Sequence, residues 1–216
     1  MEQFVHVHGL AAPLLRANID TDLLIPSREI TSPGKDGYGE KLLAPWRYLS
    51  TAEGERIENP DFVLNQPPFR QAIVLITGEN FGSGSSREAA VWAVRQFGLR
   101  SVIAPSFGAI FQHNCYRNGV LPIRLPMAEV EALARLAGAG GLNLTIDLPE
   151  RALRLPCGRT LHFEVPPNEH RMLLEGLDAI GLTLRRRKDI EAYQEADRIA
   201  RPWIWQSARG TPAPAA

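Results

Sequence analysis

Residues 78–88, with the sequence GENFGSGSSRE, decide the fold because they join a strand to a helix through a glycine-rich turn. Ala72–Thr77 before the turn is apolar and β-branched and has the length of a strand, and Ala89–Val94 after it is good helix material. Unpaired backbone N–H groups and the positive end of a helix dipole favour an anion at such a junction. Gly82 and Gly84 would let the backbone approach that anion closely. The turn therefore predicts an anion-binding loop.

The pattern around this loop predicts the fold class. Strand-like and helix-like runs alternate at 72–77, 86–97, 101–104, 107–117 and 120–125. Such alternation is typical of parallel βαβ units with right-handed crossovers. A further helix is expected at 127–136, and the short runs 142–148, 152–155 and 160–165 predict an antiparallel meander. We therefore predict an α/β fold with a parallel βαβ core and a short antiparallel β meander.

Several local features and the domain organisation follow from the same pattern. Gly98 is expected to end one helix and Ser106 to cap the next. Residues 18–26 predict a polar turn that runs into a strand ended by Pro26, and residues 32–39 predict a mobile loop. A last helix is expected over 189–199. We predict one domain over 1–200, followed by a flexible tail at 201–216.

Composition excludes several classes of partner. The chain has 216 residues, with 24 Lys plus Arg and 24 Asp plus Glu, so its net charge attracts neither nucleic acid nor an anionic membrane. No apolar segment approaches the roughly 20 residues that span a bilayer, and the start of the sequence lacks a secretion signal. We therefore expect no membrane or nucleic-acid partner and a cytoplasmic location.

Histidine and cysteine spacing argues against a metal or cofactor held by this chain. The two cysteines, Cys115 and Cys157, are too few for an iron–sulfur or structural zinc ligand set, and His6 and His8 alone do not close a site. A dinucleotide-binding fingerprint would need a third glycine where Arg87 stands. We therefore expect no metal ligands and no bound cofactor in this chain.

Ser85 admits two interpretations. In the first, Ser85-Ser86-Arg87-Glu88 is a capping box, in which Ser85 caps the helix and Glu88 bonds back to it. In the second, the dipole of the helix and the charge of Arg87 stabilise an alkoxide on Ser85, which then removes a proton from carbon. The two nearby glycines favour the second interpretation, because a simple cap does not need close backbone approach.

Three other polar residues also have a structural and a functional interpretation. The helix dipole disfavours Arg87 at a helix N-terminus unless an anion lies between the guanidinium and the helix. A guanidinium can bind a carboxylate or phosphate through two hydrogen bonds. Asp22 belongs to an Asp-Thr-Asp segment that would by itself form an Asx turn. Arg28 follows shortly after and would by itself be an ordinary surface arginine.

Five segments together resemble, in order and spacing, the small subunits of bacterial 3-isopropylmalate dehydratase. They are NIDTDLLIP at 18–26, ENFGSGSSRE at 79–88, IAPSF at 103–107, GVLP at 119–122 and GLDAIGLTL at 176–184. The resemblance spans the chain up to about Tyr193. It implies the swivel-type domain of the aconitase superfamily and a large partner subunit. By the same resemblance, the partner carries a 4Fe-4S cluster.

The resemblance also implies a reaction and a role for each residue. The substrate would be the dicarboxylate 2-isopropylmalate, isomerised by dehydration and rehydration in leucine biosynthesis. Ser85 would be the base, Arg87 would hold a carboxylate, and Asp22 matches an active-site aspartate of the superfamily. Arg28 would be a second carboxylate contact, and segment 32–48 would bear on substrate choice and partner contact. The backbone and glycines of the loop would support the charges, through residues Gly82, Gly84 and Ser86.

The chain departs from the pattern of this family just after the loop. The family usually has His-Ala-Pro-Trp there, whereas this chain has Ala89-Ala90-Val91-Trp92. Two alternatives therefore stay open beside the main hypothesis: a paralogous small subunit that acts on another 2-alkylmalate-like acid, and a non-catalytic regulatory subunit of the same fold. A stand-alone anion-binding module is a third.

Overall fold

The computed structural model describes residues 1–31, 34, 36–51, 55–84 and 87–206. Contacts between residues divide the chain into two compact units, Met1–Leu177 and a second unit that begins at Asp178. The predicted boundary at residue 200 and the predicted flexible tail stay predictions. Residues 207–216 of that tail lie outside the described part.

Strands and helices alternate through the first unit, and the second is helical. The strands are β1 (His6–Leu14), β2 (Tyr48–Ser50), β3 (Arg56–Glu58), β4 (Val74–Thr77), β5 (Ser101–Ala104), β6 (Leu121–Arg124), β7 (Leu142–Asp147), β8 (Ala152–Arg154) and β9 (Thr160–His162). The helices are α1 (Thr21–Leu24), α2 (Ala44–Arg47), α3 (Glu88–Phe97), α4 (Ala109–Arg117), α5 (Met127–Gly138), α6 (Pro167–Glu175), α7 (Ala179–Leu184), α8 (Arg187–Ala200) and α9 (Pro202–Gln206).

The first unit contains a seven-stranded sheet with the strand order β6-β5-β4-β1-β7-β8-β9. The pairs β1–β4, β4–β5 and β5–β6 are parallel, and β1–β7, β7–β8 and β8–β9 are antiparallel. Strands β2 and β3 form a separate antiparallel hairpin. The predicted α/β fold with a parallel βαβ core and an antiparallel meander is confirmed.

Strands β4 and β5 are buried on both faces, as their apolar sequences predict. Because side chains alternate along a strand, Leu75 of β4 packs in one cluster with Val91 and Val94 of α3. Its neighbours Val74 and Ile76 point to the other face and pack in a second cluster, which includes Val130 and Leu133 of α5. Helices on both faces therefore fix β4, and with it the start of the glycine-rich loop.

Two local predictions were wrong. In each case the cause is a hydrogen bond that cannot be predicted from the sequence. A strand was predicted around Leu23, but the Asp20 carboxylate accepts a hydrogen bond from Leu23 N at 2.7 Å and caps the short helix α1. Ser106 was predicted to cap α4, but its Oγ accepts from Asn80 N at 2.8 Å. Gly108 is the N-cap of α4 instead.

The segment before the β2–β3 hairpin is packed against the C-terminal end of α3. Tyr38 is buried, and its backbone N donates to Gln96 Oε1 at 2.8 Å. A Cβ built on Gly39 would lie 2.6 Å from Gln96 C. Arg47 is also buried, donates from Nε to Asn65 Oδ1 at 3.0 Å and from Nη1 to Gly39 O at 3.2 Å, and burial lowers the pKa of its guanidinium. Residues 38–47 are therefore anchored, whereas Ser32, Pro33 and Lys35 of the predicted mobile loop lie outside the described residues.

The second unit is held by contacts along its own helices. The predicted helix over 189–199 is present as α8, and Pro202–Gln206 forms a further helix. Trp205 Nε1 donates to Asp197 Oδ2 at 3.0 Å, and Arg187 Nε donates to Glu191 Oε1 at 2.8 Å. Neither this unit nor the described remainder of the chain contains a helix long and apolar enough to cross a membrane.

Candidate active site

The glycine-rich loop leaves the carboxyl end of β4, where the carboxyl ends of the parallel strands β1 and β5 also lie. Loops at this edge of a parallel sheet are the usual place for ligands. Three backbone hydrogen bonds tie the chain after β1 to the loop: Asn18 N donates to Glu79 O and Thr21 N to Ser83 O, both at 2.9 Å, and Gly82 N donates to Ile19 O at 2.7 Å. The Asp-Thr-Asp segment and the glycine-rich loop, which are far apart in sequence, therefore form one surface.

The connection between β5 and α4 holds the other side of the loop. Phe81 N donates to Ser106 O at 3.1 Å, and Gly108 N donates to Phe81 O at 2.9 Å. Ser106 Oγ completes this set through Asn80 N. Because three separate segments share backbone hydrogen bonds, residues 79–83 of the loop are fixed in place.

Two glycines in the loop are required by geometry. Gly82 has φ of +73°, and a Cβ built there would lie 2.1 Å from Phe111 Cγ. Gly84 has φ of +91°, but its nearest neighbour, Asp20 Cβ, would be 3.4 Å away. Gly82 is therefore required by both backbone conformation and packing, whereas Gly84 is required by conformation alone. Their predicted contact with substrate stays a prediction.

Arg87 and Asp22 form an ion pair beside the loop. Arg87 Nη1 lies 2.6 Å from Asp22 Oδ1, and the same nitrogen lies 3.5 Å from Ile25 O. The Arg87 side chain is 26% exposed and that of Asp22 is 55% exposed. The other two nitrogen atoms of the guanidinium donate to no described residue, so Asp22 orients Arg87 and leaves donors for a second anion.

Arg28, the other predicted carboxylate contact, has a different environment. Its side chain is 76% exposed, and its Nε lies 4.0 Å from Glu29 Oε1. It borders a hollow of about 430 Å³ next to Tyr48 and Arg56. Its recorded contact is with a neighbour in sequence rather than with the Arg87–Asp22 pair, and its role as a substrate contact stays a prediction.

Ser85 and Ser86 lie outside the described residues, and their predicted roles remain predictions. Their described neighbours bear on one of the two interpretations, the capping box. Helix α3 begins at Glu88 with Arg87 in the N-cap position, so Ser85 is not the cap. The Glu88 carboxylate accepts a hydrogen bond from Asn118 Nδ2 at 3.0 Å. The capping-box interpretation is therefore wrong, and the sequence could not show it because Asn118 is distant.

Ala89 and Val91, where the chain departs from the quoted family pattern, are both buried on α3. They belong to the cluster that packs α3 against Leu75 of the sheet. These two side chains fill the core rather than present a polar group at the surface.

The hollow next to the loop is small. It has a volume of about 190 Å³ and is bordered by residues 82–84 and 108–111. A larger depression of about 560 Å³ lies elsewhere, near Arg124 and His162. We assign the site to the loop, because the fixed backbone, the required glycines and the oriented guanidinium all belong to it. The hollow is smaller than a usual binding pocket, which measures roughly 300–1,000 Å³.

Sequence reasoning missed two residues of this region. Phe111 lies against Gly82, and Thr21 is fully buried with its hydroxyl next to Gly84. Both lie within motifs that were quoted or predicted, but their neighbours come from other parts of the chain. The three-residue motif Asp-Thr-Asp was the one sequence signal in this region, and it indicated the two carboxylates rather than the threonine hydroxyl.

The sequence predicted that this chain provides no metal ligands, and the surroundings of its histidines and cysteines can be compared with that prediction. His8 Nδ1 is paired with Thr145 Oγ1 at 2.9 Å, and His6 Nδ1 lies 3.8 Å from Asp147 Oδ1. Cys115 is buried, which raises the pKa of its thiol well above the usual value. Within the described ranges no three His, Cys, Asp or Glu side chains are grouped to hold a metal ion. These donors do not fit an iron–sulfur cluster.

Comparison with known proteins defines the class. Residues 1–128 match the family model of the aconitase C-terminal domain. The fold is also similar to the crystal structure of 3-isopropylmalate dehydratase (LeuD) from Methanocaldococcus jannaschii, with a TM-score of 0.62 and 26% identity, covering 88% of this chain and 99% of that one. The protein is thus an aconitase-type C-terminal domain, with the swivel-type fold that the sequence predicted.

Two curated relatives narrow the class further. The 3-isopropylmalate dehydratase small subunit of Cupriavidus necator is 51% identical over 206 residues, which cover 94% of this chain and 98% of the relative. The protein of the same name from Dinoroseobacter shibae is 46% identical over 205 residues, which cover 94% of this chain and all of the relative. The chain belongs to the family of 3-isopropylmalate dehydratase small subunits.

Proposed function

We propose that this chain is the small subunit of a hydro-lyase that isomerises 2-isopropylmalate to 3-isopropylmalate by dehydration and rehydration, as a step of leucine biosynthesis. The observation that carries the proposal is the 51% identity to the small subunit from Cupriavidus necator over nearly the whole of both chains. The oriented guanidinium of Arg87 supports it, because the substrate is a dicarboxylate. The chain works in the cytoplasm, with no nucleic acid or membrane as partner.

Arg87 holds one substrate carboxylate in this proposal. Asp22 engages Nη1 at 2.6 Å, and the remaining nitrogen atoms of the guanidinium are turned to no described residue. A carboxylate can bind them while Asp22 keeps the group in place. The N-terminus of α3, directly after Arg87, adds the positive end of a helix dipole. Gly82 and Gly84 bring the backbone close to the same anion, and Arg28 provides a second, more exposed contact.

Ser85 is the base that removes the carbon-bound proton. It precedes the N-cap of α3 by two residues, where the helix dipole and the Arg87 charge favour a negatively charged oxygen. Ser86 contributes its backbone to the same anion-binding loop. These roles rest on the resemblance of the loop to those of the aconitase superfamily.

A large subunit supplies the rest of the site. The described residues offer no ligand set for a metal, so we place the 4Fe-4S cluster on the partner. The shallow hollow at the loop supports this division, because a dicarboxylate bound there would be enclosed only when a second protein covers it. Small-subunit relatives share this implied need for a large subunit.

The departure at Ala89 and Val91 keeps a second function open. A paralogue for another 2-alkylmalate-like acid would retain Arg87 and Ser85, whereas a regulatory subunit would have lost the reaction. The burial of both side chains favours catalysis, since their substitution changes packing of α3 rather than charge at the loop. A panel of alkylmalates that differ in the alkyl group separates the three possibilities.

The test is the variant Ser85→Ala, purified with a cluster-loaded large subunit from a close relative. We expect assembly equal to wild type and turnover reduced by at least about a thousandfold, because the base is lost. Ser207→Ala, in the C-terminal stretch, is the matched control and should retain turnover. Wild-type turnover in the Ser85→Ala complex would contradict the role of Ser85, and a wild-type complex inactive on every alkylmalate would favour the regulatory subunit.

A further inference from the structure

Thr21 carries a buried hydroxyl without a hydrogen-bond partner among the described residues. Its side chain is fully buried, and no atom in the described ranges pairs with its Oγ1. Its backbone is fully engaged, since Thr21 N donates to Ser83 O at 2.9 Å and Thr21 O accepts from Ile25 N at 3.0 Å. Burying a hydroxyl without a partner costs free energy, and such a group in a native protein needs an explanation.

The hydroxyl faces the glycine-rich loop. A Cβ built on Gly84 would lie 3.4 Å from Asp20 Cβ and 3.6 Å from Thr21 Oγ1, so the hydroxyl is among its nearest neighbours. Gly84 is itself exposed, and its backbone makes no hydrogen bond to any described residue. The unpaired hydroxyl and the unpaired backbone of Gly84 are therefore neighbours.

The residues on either side of Thr21 already have their partners. The Asp20 carboxylate caps α1 through Leu23 N, and the Asp22 carboxylate pairs with Arg87. Valine has nearly the shape of threonine and would fill the same space with no polar group left unpaired. An unpaired threonine at this position is therefore a feature that folding alone does not favour.

We propose that Thr21 is a positioning residue for the substrate-bound state: its hydroxyl bonds to the backbone of Gly84 when a dicarboxylate occupies the loop. This inference rests on the proposed function and adds a residue to it. In the free chain the two groups are adjacent, and neither bonds to a described residue. With a carboxylate held by Arg87 and by the loop, Gly84 moves onto Thr21 Oγ1, and the new bond keeps the loop around the substrate.

The variants Thr21→Val and Thr21→Ser test this proposal in the complex with the large subunit. Because the bond is made in the bound ground state and kept during reaction, its loss raises KM with kcat unchanged. For Thr21→Val we expect KM to rise about tenfold, kcat to stay within twofold and the Tm of the free chain not to fall. Thr21→Ser keeps the hydroxyl and should restore KM.

Ser101→Ala is the matched control, because Ser101 is also buried but its Oγ donates to Leu121 O at 2.8 Å. This variant should lower Tm and leave KM unchanged, which is the reverse of Thr21→Val. An unchanged KM in Thr21→Val would overturn the proposal, as would a loss of Tm and activity that Thr21→Ser fails to restore.

Binding of malonate, an unreactive dicarboxylate, separates this proposal from the proposed function. We expect Thr21→Val to weaken malonate binding to the complex about tenfold. If wild type binds malonate but turns over no alkylmalate, the proposed function fails and the malonate comparison still decides the role of Thr21. Equal malonate affinity in the two proteins contradicts that role, and a wild-type complex that binds no dicarboxylate contradicts both proposals.

Discussion

Arg87 Nη1 lies 2.6 Å from Asp22 Oδ1, so the guanidinium at the start of α3 is held by a carboxylate from the segment after β1. A cation at a helix N-terminus is disfavoured by the dipole, and an anion beside it offsets that cost. Asp22 is this anion in the free chain. The pair therefore explains how the loop keeps an arginine in an unfavourable place.

Replacing Arg87 by lysine should cost catalysis more than stability. Lysine keeps the charge but cannot bind a carboxylate through two parallel bonds, so we expect kcat/KM to fall by roughly 10–100-fold. Asp22→Asn should give a smaller loss, because it only frees the guanidinium to move. Steady-state kinetics on the assembled complex measure both.

A second surface ion pair, which involves no residue of the loop, provides a control for this pair. Arg159 Nη2 pairs with Glu129 at 2.6 Å, also on the surface. Arg159→Lys should leave kcat/KM within twofold of wild type. A loss in this control equal to that of Arg87→Lys would show that the effect is general, and equal activity of Arg87→Lys and wild type would remove Arg87 from the site.

Gly82→Ala should destabilise the chain strongly. The substitution forces a left-handed backbone at φ +73° on a residue with a Cβ and places that Cβ 2.1 Å from Phe111 Cγ. We expect a loss of about 2–4 kcal/mol, or a fall in Tm of roughly 5–15 °C, measured by thermal unfolding.

Gly138 provides the comparison, because it ends α5 with no heavy atom within 4 Å of a built Cβ. Gly138→Ala should be neutral or raise Tm, since alanine favours a helix and restricts the unfolded chain. If Gly82→Ala unfolds at the same temperature as Gly138→Ala, the close approach to Phe111 is not present in solution.

Glu2 should contribute stability that is lost in acid. Hydrogen bonds from Arg95 and then Arg100, at 2.6 and 2.7 Å, hold the pKa of its carboxyl below the usual range. A carboxyl whose pKa is lowered by folding stabilises the protein above its unfolded pKa, and this stability is lost as pH falls through the folded pKa.

The variant Glu2→Gln measures this contribution. Because Glu2 is largely exposed, we expect a deficit of at most about 1 kcal/mol at pH 7, or a Tm lower by about 2–4 °C. The difference between variant and wild type should shrink as pH falls below about 4.5, the usual pKa of an isolated glutamate. A difference that stays constant from pH 7 to pH 3 would contradict the ion pairs.

The two cysteines should differ in reactivity. Cys115 is buried, and burial raises the pKa of its thiol, whereas Cys157 is exposed. Since the thiolate is the reactive form, iodoacetamide should modify Cys157 in the native chain and Cys115 only after unfolding. Peptide mass spectrometry reads out both sites. Rapid labelling of Cys115 under native conditions would contradict its place on the buried face of α4.

The elements that the sequence predicted well are those with a local signal. Gly98 ends α3 with φ of +112°, as a glycine after a helical run suggests. The βαβ order was likewise evident, because it depends only on alternating periodicity. The prediction that Ser106 caps α4 was wrong, because a serine hydroxyl can accept a hydrogen bond either from its own helix or from a distant backbone. In this protein it accepts from Asn80 N.

The candidate site, like the fold, could be predicted only where its signal lies in neighbouring residues. The loop and its arginine stand in one motif, so their proximity needed no tertiary knowledge. The Asp22–Arg87 pair, the Phe111 ring beneath Gly82 and the buried Thr21 hydroxyl each join segments that only folding brings together. Periodicity and composition carry no information on such pairs.

The position of β1 has a consequence for how the protein is made. β1 leaves the ribosome before the other strands of its sheet, yet it lies in the middle of that sheet, and its second edge pairs with β7, with His6 opposite Asp147. At roughly 5–20 residues per second, β1 waits on the order of ten seconds for that partner. A chain interrupted at residue 128 would leave this edge unpaired, and an unpaired apolar edge invites aggregation with other nascent chains. Release of the intact chain therefore matters more for this protein than its short length suggests.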